Sequence, residues 1–327
     1  MDAPIIGRLF REGASSVFSK VVATQLHTVR DYIRYALSRF NEAQLFYGHG
    51  TDNAWDEAVH LVLHTLHLPW NTDASLLDAR LTEAEKLAVL ENLRLRVEQR
   101  LPAPYIMGEA WFMGLPFHVD QRVLIPRSPI AELLENECQP WLGVERVQRV
   151  LDLCCGSGCI GIGAALVFPE AHVDLVDISE DALRVARKNI GRHQVEDRVT
   201  AIQSDLFENL SVRYDLILSN PPYVDAMDMA SLPMEFRHEP RLGLEAGDDG
   251  LDLVRIILAQ ASDYLTEQGC LVVEVGNSAA ALEEAYPEVA FTWLEFEHGG
   301  DGIFLMTQEE LTRHGALFQK RVKAARV

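Results

Sequence analysis

The sequence predicts an α/β fold with a seven-stranded, mostly parallel sheet, an antiparallel edge hairpin and a small N-terminal helical domain. From Val147 onward, short β-branched runs alternate with helical segments, which is typical of a parallel sheet covered on both faces. Two further extended runs, joined by Gly299-Gly300-Asp301-Gly302, would pair as a hairpin. In residues 1–100, apolar residues instead recur at helical spacing.

The predicted domain boundaries follow these changes of pattern. Residues 1–100 carry helical patterns such as VVATQLHTVRDYIRYALSRF and TEAEKLAVLENLRLRVEQRL. Residues 101–129 are rich in Pro, Gly and aromatic residues and predict a connector with a hairpin. Residues 130–327 would form the α/β domain.

Within the α/β domain, five strand candidates follow one another and two more form the hairpin. They are VQRVLDL, AHVDLVDI, RVTAIQSD, YDLILSN and CLVVEVG, and then FTWLEFEH and GIFLMTQ. We expect helices at about 159–168, after the N-cap residue Ser179, and over GLDLVRIILAQASDYL. The basic run QKRVKAARV at the carboxyl end predicts a solvated tail.

The composition indicates in which cell compartment the protein works and which kinds of partner it binds. No segment has the ~20 apolar residues of a membrane span, and the arginine-interrupted amino terminus lacks the pattern of a signal peptide. Five cysteines, three of them within 154–159, fit a reducing compartment, so we expect a cytoplasmic protein. The 49 acidic and 29 basic residues give a net charge of -20, which repels nucleic acid and favours a basic partner.

A glycine-rich turn follows the first predicted strand of the α/β domain. Asp152 is followed by Gly156, Gly158 and Gly161, and the turn leads directly into a helix. Glycines let the backbone approach a ligand closely, and a helix N-terminus offers free amide donors. The carboxyl ends of parallel strands are where ligands bind in open α/β sheets, so the turn predicts a nucleotide-like cofactor.

Acidic residues end the next two strands. Asp177 closes the second strand, where a carboxylate can accept hydrogen bonds from ribose hydroxyls. Asp205 closes the third and could accept from an exocyclic adenine amine, while Leu206 packs on the ring. These features suit a nicotinamide dinucleotide as well as S-adenosylmethionine (AdoMet).

The sequence Asn220-Pro221-Pro222-Tyr223 at the end of the fourth strand discriminates between these cofactors. The Asn220 side-chain oxygen and the Pro221 carbonyl can both accept hydrogen bonds from one NH2 group, which fixes a planar nitrogen and stabilises the charge that develops on it. Tyr223 can stack on the flat group. A nicotinamide oxidoreductase has no use for this arrangement, so the sequence favours methyl transfer from AdoMet to nitrogen.

Other reactive side chains do not predict a further site. His60, His64 and His67 share a helical face, but no clustered carboxylate or cysteine accompanies them, so no metal is expected. Cys154, Cys155 and Cys159 are interpreted as small buried residues around the glycine turn.

The motifs resemble a known family. DLCCGSGCIG, VDIS, SDLF and SNPPYV are similar to the motifs of class I AdoMet-dependent methyltransferases, which are Rossmann-like and modify nitrogen in planar amides or amines. The segments IPRSPIAELLE, EFRHEPRLGLEAGDDGLDL and EVGN resemble those of protein-(glutamine-N5) methyltransferases. YGHGTDNAWDEAVHLVLHTLHLP and LEFEHGGDGIFLM resemble the branch that methylates a glutamine of ribosomal protein L-three.

The resemblance implies a site and a partner. Asn220, Pro221 and Tyr223 would hold the glutamine amide. The residues around AdoMet, which would leave as S-adenosylhomocysteine, would be Asp152, Gly156, Gly158, Asp177, Asp205, Leu206 and Asn220. Residues 1–100 would recognise the substrate and residues 130–327 would carry catalysis. The partner would be a basic ribosomal protein, free or within an assembling large subunit, and not a membrane.

Three alternatives stay open. The sister branch of the family methylates a glutamine of peptide release factors. A DNA adenine methyltransferase would use the same four residues, although the net charge of -20 and the short segment after Met306 argue against it. A binding factor in ribosome assembly would need no catalysis.

Overall fold

A computed structural model describes residues 17–325. The chain divides into two compact units, one that ends at Met107 and one that begins at Gly108. The expected absence of a signal peptide concerns residues 1–16, which lie outside the described residues. Within residues 17–325, no helix combines the length and the apolar character that crossing a membrane requires.

The unit that ends at Met107 is helical over its described residues. Its α-helices are α1 (Lys20–Gln25), α2 (Val29–Ala43), α3 (Ala54–Thr65), α4 (Glu83–Glu98) and α5 (Ala103–Met107). Thr28 separates α1 from α2, because its side chain accepts from the Asp31 amide while the Asp31 carboxylate accepts from the Thr28 amide. A buried ion pair joins α3 to α4, with 2.6 Å between Arg96 Nε and Glu57 Oε1.

The unit that begins at Gly108 contains both strands and helices. Its strands are β1 (Glu109–Phe112), β2 (Leu115–His118), β3 (Arg149–Leu153), β4 (His172–Asp177), β5 (Val199–Gln203), β6 (Tyr214–Ser219), β7 (Leu265–Glu274), β8 (Thr292–Trp293) and β9 (Ile303–Thr307). Its α-helices in the described residues are α6 (Ile130–Glu135), α7 (Cys159–Val167), α8 (Glu180–His193), α9 (Ala226–Ser231), α10 (Asp252–Tyr264), α11 (Ala279–Ala285) and α12 (Gln308–Ala325).

Seven of these strands form one sheet in the order β5-β4-β3-β6-β7-β9-β8. The first five are parallel, and β9 is antiparallel to both β7 and β8. This confirms the predicted mostly parallel sheet with an antiparallel edge hairpin. Chain order reverses between β3 and β6, where Leu153 pairs with Ser219, and ligands of open α/β sheets bind at the carboxyl ends of strands at such a switch point.

Alternation along the strands separates the core into two apolar layers. Val150 and Leu216 face the layer shared with α6, α7 and α8. Their neighbours Leu151 and Ile217 face the layer shared with α10, α11 and α12. Because both faces are covered, the central strands are apolar at nearly every position, and their ends are left to carry polar side chains.

The hairpin β1–β2 is fixed to this unit by one buried amide. Asn189 of α8 accepts from the His118 amide at 2.7 Å and donates from Nδ2 to the His118 carbonyl at 3.0 Å. The same Nδ2 donates to the Ser157 carbonyl at 2.9 Å. Asn189 therefore ties the hairpin to the glycine-rich turn after β3.

Two local predictions differ from the structure in detail. The run FTWLEFEH does pair with β9, but it contributes the strand β8 only at Thr292–Trp293. Further along the run, the amides of Glu297 and His298 donate to the Glu132 carboxylate at 2.7 and 3.1 Å. The basic run at the carboxyl end is helical over its described residues, as the last part of α12, although most of those residues are exposed to solvent as predicted. Gln319 anchors it, since its Nε2 donates to the Ala259 carbonyl at 2.7 Å.

Candidate active site

A cavity lies at the switch point, where four strands end. Its wall includes Gly156 after β3, Asp177 at the end of β4, Asp205 and Leu206 after β5, and Asn220 after β6. The structure therefore brings five of the residues singled out in the sequence to one cavity. The segment 122–128 and part of the chain after β6 close its other side.

Two glycines of the turn have different surroundings. Gly156 has a φ of 54° and lines the cavity, and a Cβ added there would meet no atom within 4 Å. Gly158 is the N-cap of α7, with a φ of 79°, and its Cβ would lie 2.9 Å from Leu175 Cδ1. Gly156 thus opens the turn towards the cavity, whereas Gly158 lets α7 pack on β4.

Asp152 lies behind the cavity wall. Its side chain is buried, and its Oδ2 accepts from the Gly161 amide at 2.8 Å, so it ties β3 to the first turn of α7. Its Oδ1 has no hydrogen-bond partner among the described residues. Burial raises the pKa of Asp152 to about 8, with the Gly161 amide opposing the rise and Asp177 adding to it.

Asp177 faces the cavity and also orders the turn. Its Oδ2 accepts from the Gly156 amide and its Oδ1 from the Ser179 amide, each at 2.9 Å. Burial raises its pKa, and the backbone hydrogen bonds oppose that rise. Ser179 in turn caps α8, as predicted, by accepting from the Ala182 amide.

A neighbouring part of the wall is mainly apolar. Leu206 is buried and has a φ of 46°, an uncommon conformation for a residue with a side chain. Asp205 beside it is exposed and also lines the cavity. The pair presents an apolar side chain next to a hydrogen-bond acceptor.

A second cavity adjoins the first, and Asn220 lines both. Tyr223 lines the second cavity but is absent from the described wall of the first. Pro221 is buried and belongs to neither wall. A group that is bound to the Asn220 side chain from the second cavity would therefore meet whatever occupies the first.

A buried carboxylate that the sequence analysis did not name as a site residue lies behind these side chains. Glu274 ends β7, and it accepts from Ser128 Oγ at 2.6 Å and from Tyr223 Oη at 3.0 Å. The Asn220 side chain lies near enough to act on its pKa as well. Burial raises the pKa of Glu274, and these hydrogen bonds and Arg127 oppose the rise. The signal for it was the segment EVGN, which was used only as a family marker.

The ring of Tyr223 is held tightly. A Cβ added to Gly276, which has a φ of 46°, would lie 2.6 Å from Tyr223 Cε2. Ser278 Oγ donates to the Tyr223 carbonyl at 2.8 Å. Burial and the nearby Glu274 carboxylate raise the pKa of Tyr223, so its hydroxyl stays protonated and donates to Glu274.

An ion pair holds the chain after β6 over the cavities. Arg127 Nη1 and Nη2 donate to Glu239 Oε1 and Oε2 at 2.6 and 2.9 Å, and the Ile125 amide donates to Oε1 at 3.0 Å. The Arg127 guanidinium also lies over the Phe236 ring, 5.4 Å from its centroid. Arg127 and Phe236 form part of the second cavity's wall.

The cysteines near the glycine-rich turn are protonated thiols, and the described residues show no metal site. Burial raises the pKa of the thiols of Cys154, Cys155 and Cys159, which keeps them protonated. Among residues 17–325, no group of three or more His, Cys, Asp or Glu side chains is arranged to hold a metal ion.

The sheet order, the antiparallel β9 and the glycine-lined cavity at the switch point define a class I, Rossmann-like methyltransferase. The family model "Methyltransferase small domain" matches residues 133–242. A methyltransferase from Pyrococcus furiosus of known structure has a TM-score of 0.44 at 17% identity, over 60% of this chain and 89% of that one.

Two relatives identify the family more closely. A protein of Francisella tularensis subsp. tularensis is 50% identical over 301 residues, which cover 91% of this chain and 96% of the relative. A protein of Bordetella pertussis is 52% identical over 289 residues, which cover 88% and 97%. Both are named ribosomal protein uL3 glutamine methyltransferase. The chain belongs to this family, which confirms the resemblance found in the sequence.

Proposed function

We propose that this chain transfers a methyl group from AdoMet to the side-chain amide nitrogen of a glutamine in ribosomal protein uL3. The observation that carries the proposal is the position of Asn220, which lines both the glycine-walled cavity and the cavity beside it. The names of the two relatives supply the substrate.

The residues of the first cavity fit AdoMet. Gly156 leaves open space where any other residue would place a Cβ, so a ligand can lie against the backbone. Asp177 and Asp205 offer carboxylate oxygens to hydroxyl and amine donors, and Leu206 offers an apolar surface to the adenine. When bound, AdoMet supplies an electrophilic methyl group on a sulfonium.

The roles of Asp152 and Gly158 are indirect in this proposal. Asp152 fixes the first turn of α7 through the Gly161 amide. Gly158 allows the close packing of α7 on Leu175. Both residues would shape the backbone around AdoMet without contacting it, which differs from the cofactor contacts that the family resemblance implied.

Asn220 would hold the reacting amide. Its Oδ1 would accept a hydrogen bond from the glutamine NH2 group, fix the nitrogen towards the methyl carbon and stabilise the positive charge that develops on nitrogen. Pro221 stiffens the turn that aims Asn220. Because Pro221 belongs to neither cavity wall, its predicted role as a second acceptor stays a prediction from the sequence. Tyr223, in the wall of the second cavity, would pack against the flat amide.

Proton loss would follow methyl transfer. An amide nitrogen becomes strongly acidic once it carries a fourth bond, so it needs no strong base beforehand. Positioning and electrostatic stabilisation would therefore provide most of the rate acceleration.

The partner would be uL3 itself, a basic protein that the net charge of -20 favours. We further propose that the helical unit ending at Met107 takes part in recognising it, either free or within an assembling large subunit. The expected site of action is the cytoplasm.

Transfer of labelled methyl from AdoMet tests the proposal. Unmethylated uL3, a peptide release factor and DNA would be offered separately, and the modified residue would be mapped by mass spectrometry. We expect label on one glutamine of uL3. Label on the release factor or on adenine would show that the substrate is that factor or DNA rather than uL3. Binding of uL3 without any transfer would favour a binding factor in ribosome assembly.

A further inference from the structure

We infer that Glu274 is a positioning residue that orients the Asn220 side-chain amide for methyl transfer. The inference rests on the proposed function and adds a residue to it. Glu274 itself lies outside the described walls of both cavities, so it would act through its neighbours.

The sheet brings Glu274 to Asn220. Strands β6 and β7 are parallel neighbours, and Ser219 pairs with Val273. Asn220 directly follows Ser219 and Glu274 directly follows Val273, so both residues lie at the same carboxyl edge of the sheet. Glu274 is 5% exposed, and such a buried carboxylate requires several hydrogen bonds.

Three side chains converge on this carboxylate. Ser128 Oγ donates to Oε2 at 2.6 Å and Tyr223 Oη donates to Oε1 at 3.0 Å. The Asn220 side chain also lies near enough to lower the pKa of Glu274. Among charged groups, Arg127 attracts the Glu274 carboxylate, and both Arg127 and Glu239 act on Tyr223 in the same cluster. Burial raises the pKa of Glu274, and Arg127 and these hydrogen bonds oppose that rise by favouring the ionised form.

An ionised carboxylate fixes which end of the Asn220 amide faces it. In its ionised form the carboxylate can only accept hydrogen bonds, so an Asn220 side chain that bonds to it would donate through Nδ2. The Asn220 Oδ1 is then the free end of the amide, and it is the acceptor that the glutamine NH2 group needs. Glu274 also takes the hydroxyl hydrogen of Tyr223, which prevents that hydroxyl from competing for the Asn220 oxygen.

Replacing Glu274 by glutamine would remove this constraint with almost no change of size. A glutamine amide can donate as well as accept, so Asn220 could turn its Oδ1 away from the substrate. We expect Glu274→Gln to lower kcat for uL3 methylation about 100-fold. The KM for uL3 and the Kd for AdoMet should change less than about threefold, because the residue contacts neither ligand.

Asp174→Asn provides a matched control. Asp174 Oδ2 also accepts from a tyrosine hydroxyl, Tyr214 Oη at 2.8 Å, on the same sheet. Neither residue of that pair belongs to the described walls of the cavities. The control should retain the kcat of the native protein, which would separate positioning from a general effect of neutralising a carboxylate.

Ser128→Ala keeps the test decisive if Glu274→Gln does not fold. It removes one donor to the same carboxylate and should lower kcat several-fold with unchanged KM. The inference would be overturned if Glu274→Gln or Ser128→Ala folds and retains the native kcat. It would also be overturned if Asp174→Asn lowers kcat as much as they do. If the native protein methylates no glutamine of uL3, the proposed function fails instead, so the two failures are distinguishable.

Discussion

Gly156 and Gly161 lack a side chain for different reasons. At Gly156 the missing Cβ leaves open space in the cavity wall, and the φ of 54° disfavours other residues. At Gly161 a Cβ would lie 2.1 Å from Leu175 Cδ2, so the glycine permits α7 to pack on β4. Gly156 therefore keeps space free in the cavity wall, whereas Gly161 allows close packing of α7 on β4.

Two alanine substitutions test this distinction. Gly156→Ala should raise the Kd for AdoMet about tenfold, since the methyl group enters the cavity and the φ costs about 1–2 kcal/mol. Gly161→Ala should lower the free energy of unfolding by about 1–3 kcal/mol through overpacking. Calorimetric titration and urea unfolding measure the two quantities. Identical profiles for the two variants would contradict the assignment.

Asp152 predicts a pH dependence of stability. The folded protein holds its proton up to about pH 8, whereas a free aspartate releases it near 3.8. The folded state therefore binds more protons between these values, and its free energy of unfolding falls as pH rises through that window. Asp152→Asn should flatten this fall, by a few kcal/mol in order of magnitude. Urea unfolding at pH 5, 7 and 9 checks it, and an equally steep fall in the variant would refute the role.

The sequence predicted which strand ends form the cavity, and the roles of the residues there stay predictions. Asp177 and Asn220 were found because a strand end is recognisable from the pattern, and strand ends meet at one edge. Asp152 and Gly158 belong to the same motif but lie behind the wall, since motif spacing does not specify which face a residue takes. Glu274 was missed because its partners Ser128 and Tyr223 are distant in sequence and meet only through the strand order.

At the scale of elements, the chain after β6 is held to the segment 122–128 by one buried carboxylate. The Glu239 side chain is fully buried, and it accepts hydrogen bonds from the Arg127 guanidinium and the Ile125 amide. Without Arg127, the buried carboxylate would lose this ion pair. Removing one partner of a buried ion pair is costly, so the segment would loosen.

Arg127→Met should therefore lower the free energy of unfolding by about 3–5 kcal/mol. The double variant with Glu239→Gln should recover part of that loss, because the buried charge is also removed. Hydrogen exchange should localise the loosening to the chain after β6. A double variant less stable than Arg127→Met would argue against an uncompensated charge as the cause.

Element types were predicted more reliably than element ends. The five parallel strands follow from buried β-branched runs, which have few alternatives. Strand β8 is shorter than its apolar pattern, and the amides of Glu297 and His298 further along donate to the Glu132 carboxylate, a contact that the pattern does not reveal. The end of α12 depends on packing against α10, where Gln319 reaches the Ala259 carbonyl, and composition alone suggested a tail.

At the scale of the whole molecule, the net charge of -20 concerns the partner more than the fold. An acidic protein attracts a basic ribosomal protein over distances of about 10 Å at moderate salt. The interactions inside the two cavities, by contrast, are made between atoms in contact. Encounter and chemistry should therefore respond differently to ionic strength.

The KM for uL3 should rise several-fold when salt increases from about 50 to about 300 mM, whereas kcat changes little. Steady-state kinetics with full-length uL3 measures both, and a neutral glutamine peptide serves as the control whose KM should not change. A KM for uL3 that is independent of salt would exclude long-range attraction as a contribution to recognition.

In the proposed mechanism, methyl transfer depends most directly on Asn220. The decisive measurement is kcat for methyl transfer to the glutamine of uL3 by the native protein and by Asn220→Ala, with AdoMet saturating. We predict a fall of about 100- to 1000-fold, because the variant loses the acceptor that fixes the amide and stabilises its charge. A variant that methylates the same glutamine at the native rate would contradict the proposed mechanism.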